Sequence, residues 1–273
     1  MRRLRLQMMA GGVPPVQLLL DLYPNATRAY SLRKIRNLYS GSAIRVRRSS
    51  DNAEQNIGFN INGDLDTAAL TTFCSGTNGF VTIWYDQSGG SFDATQTTAI
   101  NQPQIVSSGS VLTTNGKPTI LFDGSNDSLG FSNVSFAASN YNSFVGKRAV
   151  SARRMFAFAG NQYLLGFGTD DNIYLQARTP GYNVSNVADG TTSQILLTGQ
   201  VSSNVATMYK NGTLVASSFV SFSLNTGINS IGTYNNGILF TNSEIQEAVY
   251  YNSDQSSNRT GIENNIKTYY GIP

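Results

Sequence analysis

Ala206-Thr207-Met208-Tyr209-Lys210-Asn211-Gly212-Thr213-Leu214-Val215-Ala216-Ser217 decides the fold class. Two short runs of β-forming residues flank Asn211-Gly212. That pair accepts the positive φ angles of a type I′ turn, whose twist suits two antiparallel strands. Similar runs recur outward from this hairpin, between Asn, Gly and Ser turns. They are Phe80–Tyr85, Thr119–Phe122, Ser143–Val150, Phe156–Ala159, Tyr163–Phe167, Ile173–Gln176, Gln194–Gly199, Ala206–Lys210, Thr213–Ser217, Ile228–Thr233 and Ile245–Tyr251. Strands spaced this closely, with no helices between them, predict an antiparallel sandwich and not βαβ units.

The flanks add a few other elements. Asn25 to Tyr39 reads as a helix capped by Asn25 or Thr27 and stopped by Gly41. Ser42 to Arg48 alternates, with Ile44 and Val46 opposite Arg45 and Arg47, and predicts a half-exposed strand. Asp64 to Phe73 reads as a second short helix. A third closes the chain, capped by Ser253 or Asp254, with Ile262, Ile266, Tyr269 and Tyr270 on one face and Gly271 at its end. No internal repeat or linker appears. The predicted organisation is an extended arm over 1–24 and one sandwich domain over 25–273.

Composition removes whole classes of chemistry. The 273 residues contain no His, so no imidazole can serve as base, acid or zinc ligand. The single Cys, Cys74, excludes an intrachain disulfide and a Cys-only zinc site. Charged residues make up only 13%, below the usual quarter. The net charge of +3 is uneven: residues 1–48 carry ten basic side chains and one acid, Asp21, and the remainder is net acidic. A basic end on an acidic body reads as a docking segment or as plain pairing with the body's acids. No recognition helix, RNP motif or zinc module accompanies it, so nucleic acid is not expected as a partner.

Residues 1–24 read as an extended docking arm. Arg2, Arg3 and Arg5 give it charge, Pro14-Pro15 stiffen it, and Leu18, Leu19, Leu20 and Leu22 form an apolar strip. Gly11-Gly12, Pro14-Pro15 and Gln17 interrupt any signal-peptide core, and no run approaches the roughly 20 apolar residues of a membrane span. Another subunit commonly orders an arm of this kind; the plain alternative is that it packs along its own domain.

Three stretches resemble known families. Ala29-Tyr30-Ser31-Leu32-Arg33-Lys34, Ile44-Arg45-Val46-Arg47-Arg48-Ser49-Ser50-Asp51-Asn52 and Thr82-Ile83-Trp84-Tyr85-Asp86-Gln87-Ser88-Gly89 together resemble the opening of the α-L-arabinofuranosidase B catalytic domain family. Lys117-Pro118-Thr119-Ile120-Leu121-Phe122-Asp123-Gly124-Ser125-Asn126-Asp127 resembles an element of laminin-G-like, concanavalin A-like domains. Glu244-Ile245-Gln246-Glu247-Ala248-Val249-Tyr250-Tyr251, with the helix ending Tyr269-Tyr270-Gly271-Ile272, resembles the last strand and closing helix of bacterial and phage members of that superfamily. The resemblances imply a mainly β, concanavalin A-like antiparallel sandwich (jelly roll). They also imply a retaining arabinofuranosidase that uses a downstream Glu nucleophile and Asp acid. Such enzymes hold two carboxyl groups about 5–5.5 Å apart. Here no Glu lies between Glu54 and Glu244, and the place of the family's acid reads Ile231-Gly232-Thr233-Tyr234-Asn235-Asn236. Asn cannot protonate a leaving group, so the pair is expected to be absent and the chain to be non-enzymatic. Asp170-Asp171 are expected to be turn carboxylates.

Carbohydrate binding is expected at Trp84, Tyr85, Asp86, Tyr163, Tyr174, Tyr182, Tyr234 and Asn235, where aromatic rings can cover the apolar faces of sugars. Trp84 and Asp86 also fit a core strand and its turn. Asp123 and Asp127 are the only calcium candidates, although a full site needs six to eight oxygens; no other cofactor is expected. From the arm, the missing export signal and the missing pair and disulfide, the expected function is a non-enzymatic bacteriophage virion protein of the capsid, spike or tail fibre. It would sit on the particle exterior, bind other virion proteins through its arm and a host glycan through its sandwich, and assemble as a homo-oligomer such as a trimer. The alternatives are an extracellular carbohydrate-active protein related to α-L-arabinofuranosidases and a plain adhesion domain.

Overall fold

The computed structural model describes residues 17–135, 137–160, 163–178, 181–185, 189–219, 227–234 and 237–273, without the side chains of Tyr163 and of residues 176–178 and 181–185. Two antiparallel leaves dominate them. One leaf centres on Asn242–Tyr251, which pairs with Arg28–Ser31 and Ile120–Asp123 on one side and Asn140–Arg148 on the other. Ile195–Ser202, Val205–Lys210 and Thr213–Phe219 extend it. The second leaf runs from Gly181–Ser185 through Ile173–Arg178, Tyr163–Phe167, Met155–Ala159, Gly227–Ile231 and Leu129–Ser135. It continues to Ala94–Thr95, Gly79–Trp84, Ile44–Arg48 and Glu54–Ile57. The mainly β sandwich read from the sequence is the fold.

Alternation explains which residues face which layer. Phe144, Leu197, Ala248 and Tyr250 lie in the core between the leaves, with Leu165, Leu175, Phe158 and Ile231. Their neighbours Tyr141, Val145, Leu196, Val249 and Tyr251 face the other way and pack under the Arg259–Tyr270 helix, against Ile262, Ile266 and Tyr270. Fully burying each such aliphatic side chain stabilises the fold by about 1.5–3 kcal/mol. Gly271 ends the helix at φ 65°, and its backbone N–H bonds the Lys267 carbonyl. The Asn211-Gly212 turn has φ 52° and 86°, as the hairpin required.

Three local expectations are corrected. Residues 25–39 form no helix; Arg28–Ser31 is a fully buried strand paired with residues 247–250, because that sheet position outweighs local helix propensity. The closing helix starts at Arg259. Asp254 bonds Ser202 and Ser256 and does not cap the helix. In the arm, Leu19–Leu22 form one helical turn, and Leu19 and Leu20 are buried in the same cluster as Ile262, Ile266 and Tyr270. Those two leucines are therefore not an exposed docking strip. Leu18 is half-buried and Leu22 exposed, while Arg2, Arg3 and Arg5 lie outside the described residues. Several bases of the positive segment pair at home: Arg33 with Glu247, Arg45 with Glu54 and Arg48 with Asp51. No helix among the described residues is long and apolar enough to cross a membrane.

Candidate functional site

The Trp84-Tyr85-Asp86 cluster is built into the framework. Trp84 is fully buried, with its ring 6.0 Å from that of Tyr30. It has no face open to a sugar, which corrects its place among the binding candidates. Asp86 is also buried and accepts four bonds: from the Ala29 and Ser88 amides (2.9 Å each), the Ser88 hydroxyl (2.6 Å) and the Phe92 amide (3.2 Å). Its carboxylate is spent on the turn it heads. Tyr85 is half-buried and donates to Asn56 Oδ1 at 2.8 Å.

Asp123 and Asp127 hold one turn between them. Asp123 Oδ1 accepts the Ser125 amide at 2.7 Å, and Asp127 Oδ2 accepts the Asp123 amide at 2.9 Å. Both line a cavity of about 480 Å³ beside Arg47, Phe80, Gln102 and Gln104. Burial pushes the Asp127 carboxyl up to about 6. Among the described residues, no group of three or more His, Cys, Asp or Glu side chains that could hold a metal ion occurs.

The remaining candidates collect at one end of the second leaf. Backbone pairing sets Tyr163 and Tyr182 on either side of Ala177; their side chains lie outside the description, as does Asn235 altogether. Tyr234 is buried with Phe156, Ala159 and Leu164, and the half-buried Tyr174 packs against that cluster. Tyr234 thus supports the site from beneath and presents no ring to a ligand.

Tyr174 leads to the residue that the sequence reading assigned only to a turn. Asp170 is exposed at the hairpin joining Tyr163–Phe167 to Ile173–Arg178. Its Oδ2 accepts the Tyr174 hydroxyl and the Asn172 side-chain amide (3.0 Å), and its Oδ1 accepts the Asn172 backbone amide (3.2 Å). The Tyr174 hydroxyl in particular holds the Asp170 carboxyl below its ordinary value, so it is ionised at neutral pH. Gly168 lets the turn close. A Cβ there would lie 2.5 Å from Asp170 Oδ1 and 2.9 Å from the Tyr174 ring. From behind, Arg148 fixes the hairpin. It is fully buried, lies 4.1 Å over the Phe167 ring, pairs with Asp171, and bonds the Asp189 and Thr191 carbonyls.

Asp170 stands without a dedicated carboxyl partner. Its neighbour Asp171 is taken by Arg148 and the Ala152 amide. The other downstream acids are engaged elsewhere: Asp189 with Lys210, Glu244 with Thr114 and Lys147, Glu247 with Arg33, Asp254 with Ser202 and Ser256, and Glu263 with Arg259. The Arg33–Glu247 pair, almost fully buried, went unread in the sequence because its members are 214 positions apart. A glutamate inside the apolar run Ile245–Tyr251 was the available signal.

Comparisons with known proteins correct the functional expectation. Residues 23–124 match the family model for the catalytic domain of α-L-arabinofuranosidase B. No curated protein sequence matches the chain. Among solved structures, a GH54 α-L-arabinofuranosidase soaked with a cyclic sulfate inhibitor superposes with a TM-score of 0.71 at 15% identity, over 91% of this chain and 64% of that one. An arabinofuranosidase complexed with arabinofuranosyl-α-1,2-xylobiose does so with a TM-score of 0.70 at 16% identity and the same coverage. The chain therefore spans a little under two thirds of the length of these structures, and the likeness establishes the sandwich fold. The match across residues 23–124, together with these folds, points to an arabinofuranosidase-like domain and overturns the bacteriophage virion reading with its capsid, spike and host-attachment role.

Proposed function

We propose that this chain is a carbohydrate-active domain that acts on α-L-arabinofuranosides, with Asp170 as its nucleophilic carboxylate. The observation that carries the reading is an ionised, exposed Asp170, positioned by Tyr174 and Asn172, on a fold of the arabinofuranosidase type. A carboxylate at this station attacks the anomeric carbon. The bond to the leaving oxygen breaks with its electron pair on that oxygen, and water then cleaves the glycosyl–aspartate ester. The first step ordinarily needs a second carboxyl to protonate the departing group. The corresponding segment carries Asn235 and Asn236, which donate no such proton.

That asymmetry makes the activity selective for the leaving group. A 4-nitrophenolate departs unprotonated, whereas the sugar alkoxide of a polysaccharide does not. Slow release of 4-nitrophenol from 4-nitrophenyl α-L-arabinofuranoside is therefore expected, with little arabinose released from arabinan. Asp170→Asn should lower the aryl-glycoside rate at least 100-fold and leave the melting temperature unchanged. No release by the wild type, or an equal rate in Asp170→Asn, overturns the assignment.

A further inference from the structure

Two concavities are lined by residues away from the Asp170 hairpin. A hollow of about 770 Å³ is bordered by the loops around Tyr39 and Phe59. A second, of about 620 Å³, is bordered by Tyr23 and the exposed side of the closing helix. They share Leu18, Lys34, Asn62 and Gly63, and so form one continuous groove. Each lobe falls in the range of small-molecule sites.

We propose that this groove is a second carbohydrate-binding site, for an uncharged oligosaccharide chain running through both lobes. Its lining is suited to hydroxyl-rich rings. Tyr39 and Phe59 meet edge to face, 6.4 Å between centroids, in one lobe, and Tyr23 stands in the other. Such rings cover the apolar faces of sugars. Between them, the side chains of Asn62, Asn264 and Thr268 are exposed and make no hydrogen bond among the described residues. Each amide offers both donors and an acceptor, and the hydroxyl offers either, the mixture that sugar hydroxyls require.

Charge favours a neutral chain. Arg33, on the groove wall, is committed to Glu247 at 2.8 Å, and Lys117 beside it to Asp64 at 3.2 Å. Among the described residues that line the groove, Lys34 is left as a single cation, too little to select a polyanion. The site is separate in sequence and element from the Asp170 hairpin and does not depend on the activity proposed there.

Calorimetric titration of the full chain with α-1,5-arabinohexaose, β-1,4-xylohexaose and a galacturonate hexamer tests the groove. One of the neutral hexamers is expected to bind, equally to wild type and to Asp170→Asn. The double variant Asn62→Ala/Asn264→Ala, which removes only exposed uncommitted amides, should lose at least tenfold in affinity. The inference falls if neither neutral hexamer binds, if only the galacturonate binds, or if the double variant binds as well as wild type. Loss of binding in Asp170→Asn alone would move the ligand to the hairpin and also overturn it.

Discussion

Asp86 and Asp170 each organise a turn with a single carboxylate, yet they sit at opposite ends of what a carboxylate can do in a protein. Asp86 is 3% exposed, and all four of its bonds come from its own turn and from a neighbouring strand. Asp170 is exposed, and two of its three bonds come from side chains, Tyr174 and Asn172. Backbone donors around a buried acid make a fastening, because nothing outside the protein can reach the oxygens. Side-chain donors around an exposed acid orient it and leave an approach open. The first region lies within the stretch that matches the arabinofuranosidase B model, and the second lies downstream of it. The matched segment thus contributes framework, and the proposed chemistry rests on residues outside it.

The sharpest way to break this contrast is to remove both carboxylates in turn. Asp86→Ala strands the amides of Ala29, Ser88 and Phe92 in the interior, and each buried unpaired donor costs about 1–3 kcal/mol. A loss of about 3 kcal/mol or more in urea unfolding is expected. Asp170→Asn should stay within about 0.5 kcal/mol of wild type, as exposed substitutions generally do. Equal losses from the two variants would abolish the distinction between fastening and site.

How far the sequence reveals this division depends on distance along the chain. The strands were legible because alternation is local, and Asn211-Gly212 marked its hairpin without help from the rest of the fold. Asp66 caps the Thr67–Phe73 helix through the Ala69 amide, a local contact three positions along the chain. Residues 28–31 misled because their partners, residues 247–250, lie over 200 positions away. The Asp170 turn was readable as a turn. Its bond to Tyr174, four positions on, depends on the hairpin closing over Gly168, and no spacing rule announces that. Trp84 shows the converse: an aromatic beside an Asp suggests a sugar platform, but the apolar run before it already marked a core strand.

Asp127 tests the middle of the comparison. It is 7% exposed, yet among the described residues it receives a single hydrogen bond, from the Asp123 amide. Burial with so few donors penalises the charge, which is why its folded value rises to about 6. A raised folded value means that the native chain keeps a proton the unfolded chain has already released. Stability should therefore fall as pH rises from about 4 to about 6, and level off above that. Asp127→Asn retains an acceptor for the Asp123 amide and removes the charge. It should flatten that slope and be more stable than wild type at pH 7 by up to roughly 2 kcal/mol. Parallel stability curves for the two proteins between pH 4 and 7 would show that Asp127 is fastened as completely as Asp86.

The smallest stability effect is expected where the effect on function is most specific. Tyr174→Phe removes one hydroxyl from the exposed end of the leaf and keeps the ring that packs against the Tyr234 cluster. Its cost should stay under about 0.5 kcal/mol. The hydroxyl is, however, the leading cause of the low Asp170 value. Without it the carboxyl returns upward, and a larger fraction is protonated in mild acid. Turnover of 4-nitrophenyl α-L-arabinofuranoside depends on the ionised form, so the acid limb of its pH profile should move to higher pH while the rate near neutrality changes little. A structural role for Tyr174 would lower the rate uniformly across the profile and leave the limb where it was. A displaced limb with an unchanged melting temperature therefore separates orientation of a reacting carboxylate from maintenance of a turn.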